Sequence, residues 1–205
     1  MSWTYRLLYA IGFTPWDRGI PAELQQVVSG PDSLPPGRAL DLGSGLGRKA
    51  IFLASNGWEV IGVEMVPRAV ARAQRRATEA GVQVDFRVGD VTRLETVGLT
   101  PGFDLLFDFG CYHGLNDRQR EQYSAGLLPL AAPSATLLLM GFRKALPPVP
   151  KGVSAAELLE RFPGWQLVWE RPVTSAITAA MRRADSAWFR LRRGTDSGSH
   201  PPSDL

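Results

Sequence analysis

From residue 38 onward, short apolar runs alternate with segments whose apolar positions recur at helical spacing. The runs Arg38 to Leu42, Glu59 to Val63, Val84 to Val88, Phe103 to Phe107 and Ala135 to Phe142 read as strands. Between them, Leu46 to Asn56 predicts a helix stopped by Asn56-Gly57, and Pro67 opens a second that runs to Ala80 with Gly81 as its cap. A third starts at Asn116 and reaches about Leu128. Strands that are apolar throughout and separated by helices predict a parallel sheet covered on both faces. Further on, Ser154-Ala-Ala-Glu157 predicts a capping box that opens a helix to Phe162. Two aromatic-rich strands follow, Trp165 to Glu170 and Ala187 to Leu191, expected as an antiparallel pair at the sheet edge. The expectation is therefore an α/β fold with a doubly wound, seven-stranded, mostly parallel sheet and an antiparallel last strand. Residues 1–37, with Pro and Gly throughout, predict an N-terminal arm or helical lid, residues 38–193 one domain, and residues 194–205 a disordered tail.

Composition narrows this picture only slightly. The chain has 205 residues, 44% hydrophobic and 21% charged, which is ordinary for a globular domain. A single cysteine, Cys111, excludes an internal disulfide. Nowhere do 18 apolar residues run together, so no membrane association is expected. The run Leu7 to Ile11 is too short for a signal-peptide core, and the expected location is cytoplasmic. The formal net charge is +3, but Arg68, Arg72, Arg75 and Arg76 share one helix face without interleaved aromatics. That pattern reads as a solvated face, and no nucleic-acid partner is expected. With two histidines in the chain, no metal site is expected.

The candidate chemistry lies in Asp41-Leu-Gly-Ser-Gly-Leu-Gly47. A strand, then Gly43, Gly45 and Gly47, then a helix makes a turn where backbone approaches a ligand at a helix N-terminus. The dinucleotide version spaces its glycines to leave room for a pyrophosphate. Here the third glycine comes one residue early, and Asp41 precedes the first by two. A carboxylate there repels a pyrophosphate and suits a cation. S-adenosylmethionine, with a sulfonium and an ammonium, fits that demand. Glu64 ends the second strand, where it can accept both ribose hydroxyls, and Asp90 ends the third, where it can hold the adenine amino group.

Residues 38–142 resemble the class I S-adenosylmethionine-dependent methyltransferases, on the match of Ala39-Leu-Asp-Leu-Gly-Ser-Gly-Leu-Gly47 to their first motif. The resemblance implies a Rossmann-like fold. It implies a cofactor site of Asp41, Gly43, Ser44, Gly45, Gly47, Glu64, Met65, Asp90, Val91 and Asp108, the last either facing the methionine portion or serving the fold. Upstream, Thr14-Pro-Trp-Asp17 with Gly19, Pro21 and Leu24 resembles the entry of the small-molecule branch, which includes thiopurine, thiol, halide and tellurite-resistance-type enzymes. That likeness implies an aromatic arm that closes over the cofactor, with Trp16 beside it.

Acceptor chemistry in such enzymes follows strand four, here Asp108-Phe-Gly-Cys-Tyr-His-Gly-Leu115. His113 is the candidate catalytic residue, as a base for a thiol or phenol, weighed against a histidine bonded to backbone at the next helix start. Phe13, Tyr112, His113 and Phe142 are the candidate acceptor-lining residues. Cys111 is not expected to act as a nucleophile, because direct transfer needs no covalent enzyme intermediate. The expected activity is methylation of a small thiol, phenol, quinol or related nucleophile, by a monomer or homodimer. Two alternatives stand beside it: a non-catalytic protein that binds S-adenosylmethionine as a partner subunit, and an NAD-linked oxidoreductase. The glycine spacing, Asp41 and the lack of a Tyr-x-x-x-Lys pair disfavour the latter.

Overall fold

The structure is a computed structural model that describes residues 19–147, 149–173, 183 and 185–194. Its strands are β1 (Arg38–Leu42), β2 (Glu59–Glu64), β3 (Asp85–Val88), β4 (Phe103–Phe109), β5 (Ala131–Phe142), β6 (Trp165–Pro172) and β7 (Ser186–Arg193). Its helices are α1 (Ala22–Ser29), α2 (Arg48–Ser55), α3 (Pro67–Glu79), α4 (Asp117–Leu127) and α5 (Ala155–Arg161). The strands form one seven-stranded sheet in the order β3-β2-β1-β4-β5-β7-β6. Strands β1 to β5 pair in parallel, and β7 runs antiparallel to β5 and β6, between which it lies. The chain winds from β1 outward to β3 and then returns to β4 on the other side. That reversal leaves a crevice over the C-terminal ends of β1 and β4, where open α/β sheets bind ligands.

Both faces of the sheet are covered, as strands apolar on both sides require. On one face Ala39, Leu105, Phe107, Leu138, Met140 and Trp188 pack with Leu24 and Val27 of α1, Leu53 of α2 and Ala73 of α3. On the other, Leu40, Leu106, Leu137 and Phe189 pack with Tyr123 and Leu127 of α4 and with Leu158 and Phe162, at α5 and its end. Successive strand residues alternate between these faces.

The order of strands and helices agrees with the expectation, and the differences are local. Strand β4 continues two residues further, so Asp108 lies on the strand and not after it. Strand β5 starts at Ala131, four residues early, and reaches its regular register only at Thr136, opposite Leu105. Pro133 carries no N–H for the ladder, and Ser134 takes a left-handed conformation (φ 66°), so this stretch bulges. Of the expected arm, α1 belongs to the domain core through Leu24 and Val27. Residues 1–18, and the tail beyond Gly194, lie outside the described residues. Among the described residues, no helix is long and apolar enough to cross a membrane.

Candidate functional site

The glycine turn is built from the backbone outward. Gly43 and Ser44 donate their N–H groups to the Val63 carbonyl (2.9 and 3.1 Å), which fastens the turn to β2. Gly43, Gly45 and Gly47 have φ of 73°, 56° and 79°. At Gly47 the demand is double: it is the N-cap of α2, and a Cβ there would lie 2.6 Å from Phe86 Cζ and 2.8 Å from Ala73 Cβ. A left-handed backbone and a packed floor leave room for glycine only.

Carboxylates converge on this turn from neighbouring strand ends. Glu64 accepts hydrogen bonds from Gly45 N–H (3.1 Å) and Val66 N–H (2.9 Å), one on each oxygen. Each oxygen keeps a lone pair, so the group is held in place with capacity to accept two hydroxyls. Burial raises its pKa, against hydrogen bonds from Val66, Gly45 and Met65. Asp41 is 2% exposed, and its Oδ2 has no hydrogen-bond partner. Burial raises Asp41 to about 7; the Lys49 charge opposes this, while Asp108 and Glu64 add to it. Ser44 Oγ is also buried without a partner. Asp90, half-buried, uses one oxygen to accept from Thr92 N–H and Oγ (2.9 and 2.8 Å). Val91 beside it is buried, and Met65 is half-buried.

These residues fit S-adenosylmethionine. Buried polar atoms without protein partners need ligand or water, and Asp41 Oδ2 and Ser44 Oγ flank the turn itself. The carboxylates of Asp41 and Glu64 suit the cation and the ribose, respectively.

The geometry after strand four bears on two expectations. The Asp108 carboxylate is engaged by the protein itself. It has no exposed surface and accepts from Cys111 N–H (2.7 Å), Tyr112 N–H (3.0 Å) and Tyr123 O–H (2.8 Å). It falls on the face of β4 shared with Leu106 and α4, opposite Phe107, and serves to shape the turn. Burial still raises it to about 6. Tyr112 is likewise held within the protein: it is fully buried, donates to Glu157 Oε1 (3.2 Å) and meets Tyr123 edge-on at 5.2 Å. Cys111 packs under Gly43, and burial lifts its thiol pKa, so a thiolate nucleophile is disfavoured.

His113 and Phe142 are brought together as a stacked pair, centroids 4.0 Å apart and planes within 18°. The imidazole is 4% exposed and its Nδ1 is buried without a partner. Burial, assisted by the Arg120 charge, lowers its pKa to about 3. A ring that weakly basic stays neutral at neutral pH, with one N–H, and takes up a second proton only reluctantly, which argues for a neutral hydrogen-bonding group over a general base. Gly110 (φ 85°) lies beside it: a Cβ there would approach His113 Cε1 to 3.0 Å and Met140 Cε to 3.3 Å. Of the expected aromatic arm, Phe13 and Trp16 lie outside the described residues.

Sequence reasoning missed two cations. Arg120, fully buried on α4, donates to the carbonyls of Leu115 (3.1 Å), Gly152 (2.9 Å) and Lys151 (2.7 Å) and pairs with Glu157 at 2.7 Å. Its guanidinium lies 4.8 Å over the Tyr112 ring. Glu157 is therefore turned away from the capping box expected of it: Ser154 Oγ accepts from Glu157 N–H, but the Glu157 carboxylate goes to Arg120, Tyr112 and Arg161. The spacing Arg120, Tyr123, Leu127 was the available signal. Lys49, in the first turn of α2, is 7% exposed, with its ammonium 4.7 Å over the Phe109 ring.

Comparison with known proteins agrees with this geometry. Residues 39–133 match a family described as a methyltransferase domain. The chain is 31% identical over 152 residues to a 2-heptyl-1-hydroxyquinolin-4(1H)-one methyltransferase of Mycobacteroides abscessus, covering 71% of this chain and 65% of that one. It is 30% identical over 103 residues to an uncharacterized methyltransferase of Schizosaccharomyces pombe, covering 50% of this chain and 70% of that one. Among solved structures, a 1,6-didemethyltoxoflavin-N1-methyltransferase of Burkholderia thailandensis, with bound 1,6-didemethyltoxoflavin and S-adenosylhomocysteine, superposes with a TM-score of 0.70 at 19% identity, covering 93% of this chain and 86% of that one.

Proposed function

The chain belongs to the methyltransferase domain family, in its class I S-adenosylmethionine-dependent form, and we propose that it methylates a small-molecule thiol, phenol, quinol or related ring-borne nucleophile. The observation that carries this reading is the stacked His113–Phe142 pair beside the glycine turn, with a neutral imidazole and an unpartnered Nδ1. Half-buried Phe109 leans on the fully buried Trp188, rings 5.6 Å apart and tilted, on the same face of the sheet as Phe142. Planar aromatic walls with few polar groups suit a flat, mostly apolar acceptor, and the quinolone named for the mycobacterial relative is of that kind.

Bound at this site, S-adenosylmethionine would supply an activated methyl group to an acceptor whose proton passes to solvent, with S-adenosylhomocysteine as the leaving group. The chain's own residues bind and align. Glu64 holds the ribose hydroxyls, Asp90 the adenine side and Asp41 the cationic portion. Gly43 and Gly47 let backbone come close. His113 offers one hydrogen bond to the acceptor heteroatom, and Phe142 fixes the plane of the imidazole. Alignment in a dry site can supply most of the rate for a donor already activated.

Calorimetry with S-adenosylmethionine, S-adenosylhomocysteine and NAD tests the cofactor half, and a labelled-methyl screen of thiols, phenols and halides tests the acceptor half. Binding of NAD but neither of the others would refute the first. Methyl transfer confined to RNA or protein would refute the second.

A further inference from the structure

We propose that Arg120 is a positioning residue of the acceptor site: its guanidinium holds the His113 turn and the loop that follows Phe142 in the register that stacks the two rings. This rests on the reading of His113 as the group that meets a small-molecule acceptor.

His113 and Phe142 come from segments far apart in the chain, yet their rings stack at 4.0 Å. His113 lies in the single helical turn Tyr112–Gly114, and Phe142 ends β5. The N–H groups of the turn are engaged on one side. Cys111 and Tyr112 donate to Asp108, while Gly114 and Leu115 donate to the Cys111 and Tyr112 carbonyls. The carbonyls of Leu115 and His113 face Arg120, at 3.1 Å from Nε and 3.5 Å from Nη2. On the Phe142 side, Val153 N–H donates to the Phe142 carbonyl (2.8 Å). The two carbonyls just before Val153, those of Lys151 and Gly152, accept from Arg120 Nη2 (2.7 Å) and Nη1 (2.9 Å). Gly152 has no room for a side chain against the Arg143 carbonyl, so the loop closes at a fixed point. One guanidinium therefore holds the backbone behind both rings of the stack.

Packing alone would not select an arginine here. An apolar side chain in line with Tyr123 and Leu127 would fill the space without the cost of burying a charge. What the guanidinium adds is five N–H donors fixed in one plane. They go to four carbonyls and to Glu157. The Tyr112 ring lies 4.8 Å from the guanidinium carbon, and the Tyr112 hydroxyl donates to the same Glu157, which pins the plane. A lysine would keep the charge beside Glu157 and lose the fork. With no exposed surface, Arg120 acts through the backbone that it holds.

The chain has two histidines, His113 and His200, so His200→Gln leaves one imidazole to follow by NMR. In that parent, saturated with S-adenosylhomocysteine, stacking should displace the His113 ring-proton signals upfield. Phe142→Leu removes the ring current and so calibrates the displacement. Arg120→Met combined with Glu157→Leu leaves no buried charge unpaired and should fold, with S-adenosylhomocysteine affinity within about threefold of the parent. Arg120→Lys keeps the charge and removes the fork alone. Both variants should lose more than half of the displacement. Retention of the parental signal by the folded double variant, or by Arg120→Lys, overturns the positioning role and leaves Arg120 a matter of stability. If the double variant fails to fold, Arg120→Lys, with its ion pair intact, decides in the same way. A parent without any Phe142-dependent displacement also overturns the proposal, because there is then no stack to hold. Failure of the parent to bind S-adenosylhomocysteine would instead refute the methyltransferase reading itself.

Discussion

Replacing Arg120 with Met removes the guanidinium and leaves a side chain of similar length in its place. The Glu157 carboxylate, 10% exposed, then keeps only Arg161 at 3.1 Å as an ionic partner. The carbonyls of Leu115, Gly152 and Lys151 each lose a donor. Removing one partner of a buried ion pair costs about 3–5 kcal/mol, and the remaining Arg161 contact puts the expected loss near the lower end, at about 3 kcal/mol. With a urea dependence of about 3 kcal/mol per molar for a domain of this size, the unfolding midpoint should fall by about 1 M. Equilibrium unfolding followed by tryptophan fluorescence measures it. The double variant Arg120→Met with Glu157→Leu should regain most of the loss, because no buried charge is left unpaired. A midpoint shift below about 0.3 M, about a third of the expectation in free energy, or strictly additive single variants, would refute the view of this pair as the clamp between the 113–115 turn and the 151–152 loop.

Acid weakens cofactor binding if Asp41 meets the cationic portion. Its folded pKa, raised to about 7 by burial, exceeds an unfolded value of about 3.9. Its contribution to the unliganded fold is therefore fully present below pH 4 and is lost as pH rises through 7. A cationic ligand prefers the ionised form, so the Kd for S-adenosylmethionine should rise up to about tenfold per unit below pH 7, with proton release seen by calorimetry in buffers of different ionisation heat. Asp41→Asn should flatten the dependence, and a flat wild-type curve from about pH 5.5 to 8 would contradict the assignment. For His113→Ala, turnover should fall about 5–30-fold, one hydrogen bond's worth, equally across pH; a limb near 6.5 present only in the wild type would restore the role of base. Gly47→Ala combines left-handed strain of about 1–2 kcal/mol with overpacking of about 1–3 kcal/mol against Phe86 and Ala73. Scanning calorimetry should show a Tm lower by roughly 5–15 °C, and an unchanged Tm would mean that the turn relaxes freely.

Strand order was legible because buried parallel strands read as unbroken apolar runs, and because Asp41, Glu64 and Asp90 stand where three of those runs end. The same unbroken pattern hid strand parity. In Phe103–Phe109 every position but Asp104 and Asp108 is apolar, so nothing in the sequence says which face Asp108 takes. Its true side, toward Tyr123, is where it accepts the Tyr123 hydroxyl and shapes the turn. The polar stretch Asp117–Leu127 concealed Arg120 for a similar reason: a buried arginine is legible only through its partners, and Glu157 is 37 residues away. Glu157 itself fitted a capping box locally, and a long-range ion pair outcompeted that local bond.

Parity also divides the labour of the crevice. Alternation puts Asp41 on the face of Ala39, with Lys49 and Phe109, while Asp108, Tyr112, Arg120 and Glu157 gather on the face of α4 and α5. The first group holds the Asp41 carboxylate proposed to meet a cationic cofactor. The second holds the backbone of residues 111–115 in place. His113 is where the two meet: its carbonyl is 3.5 Å from Arg120 Nη2, and its ring stacks on Phe142 on the other side. Substitution of Asp41 in the first group should therefore change cofactor affinity and its dependence on pH. Loosening the second should raise KM for every acceptor alike, because it moves the His113 ring without altering any charge in the crevice.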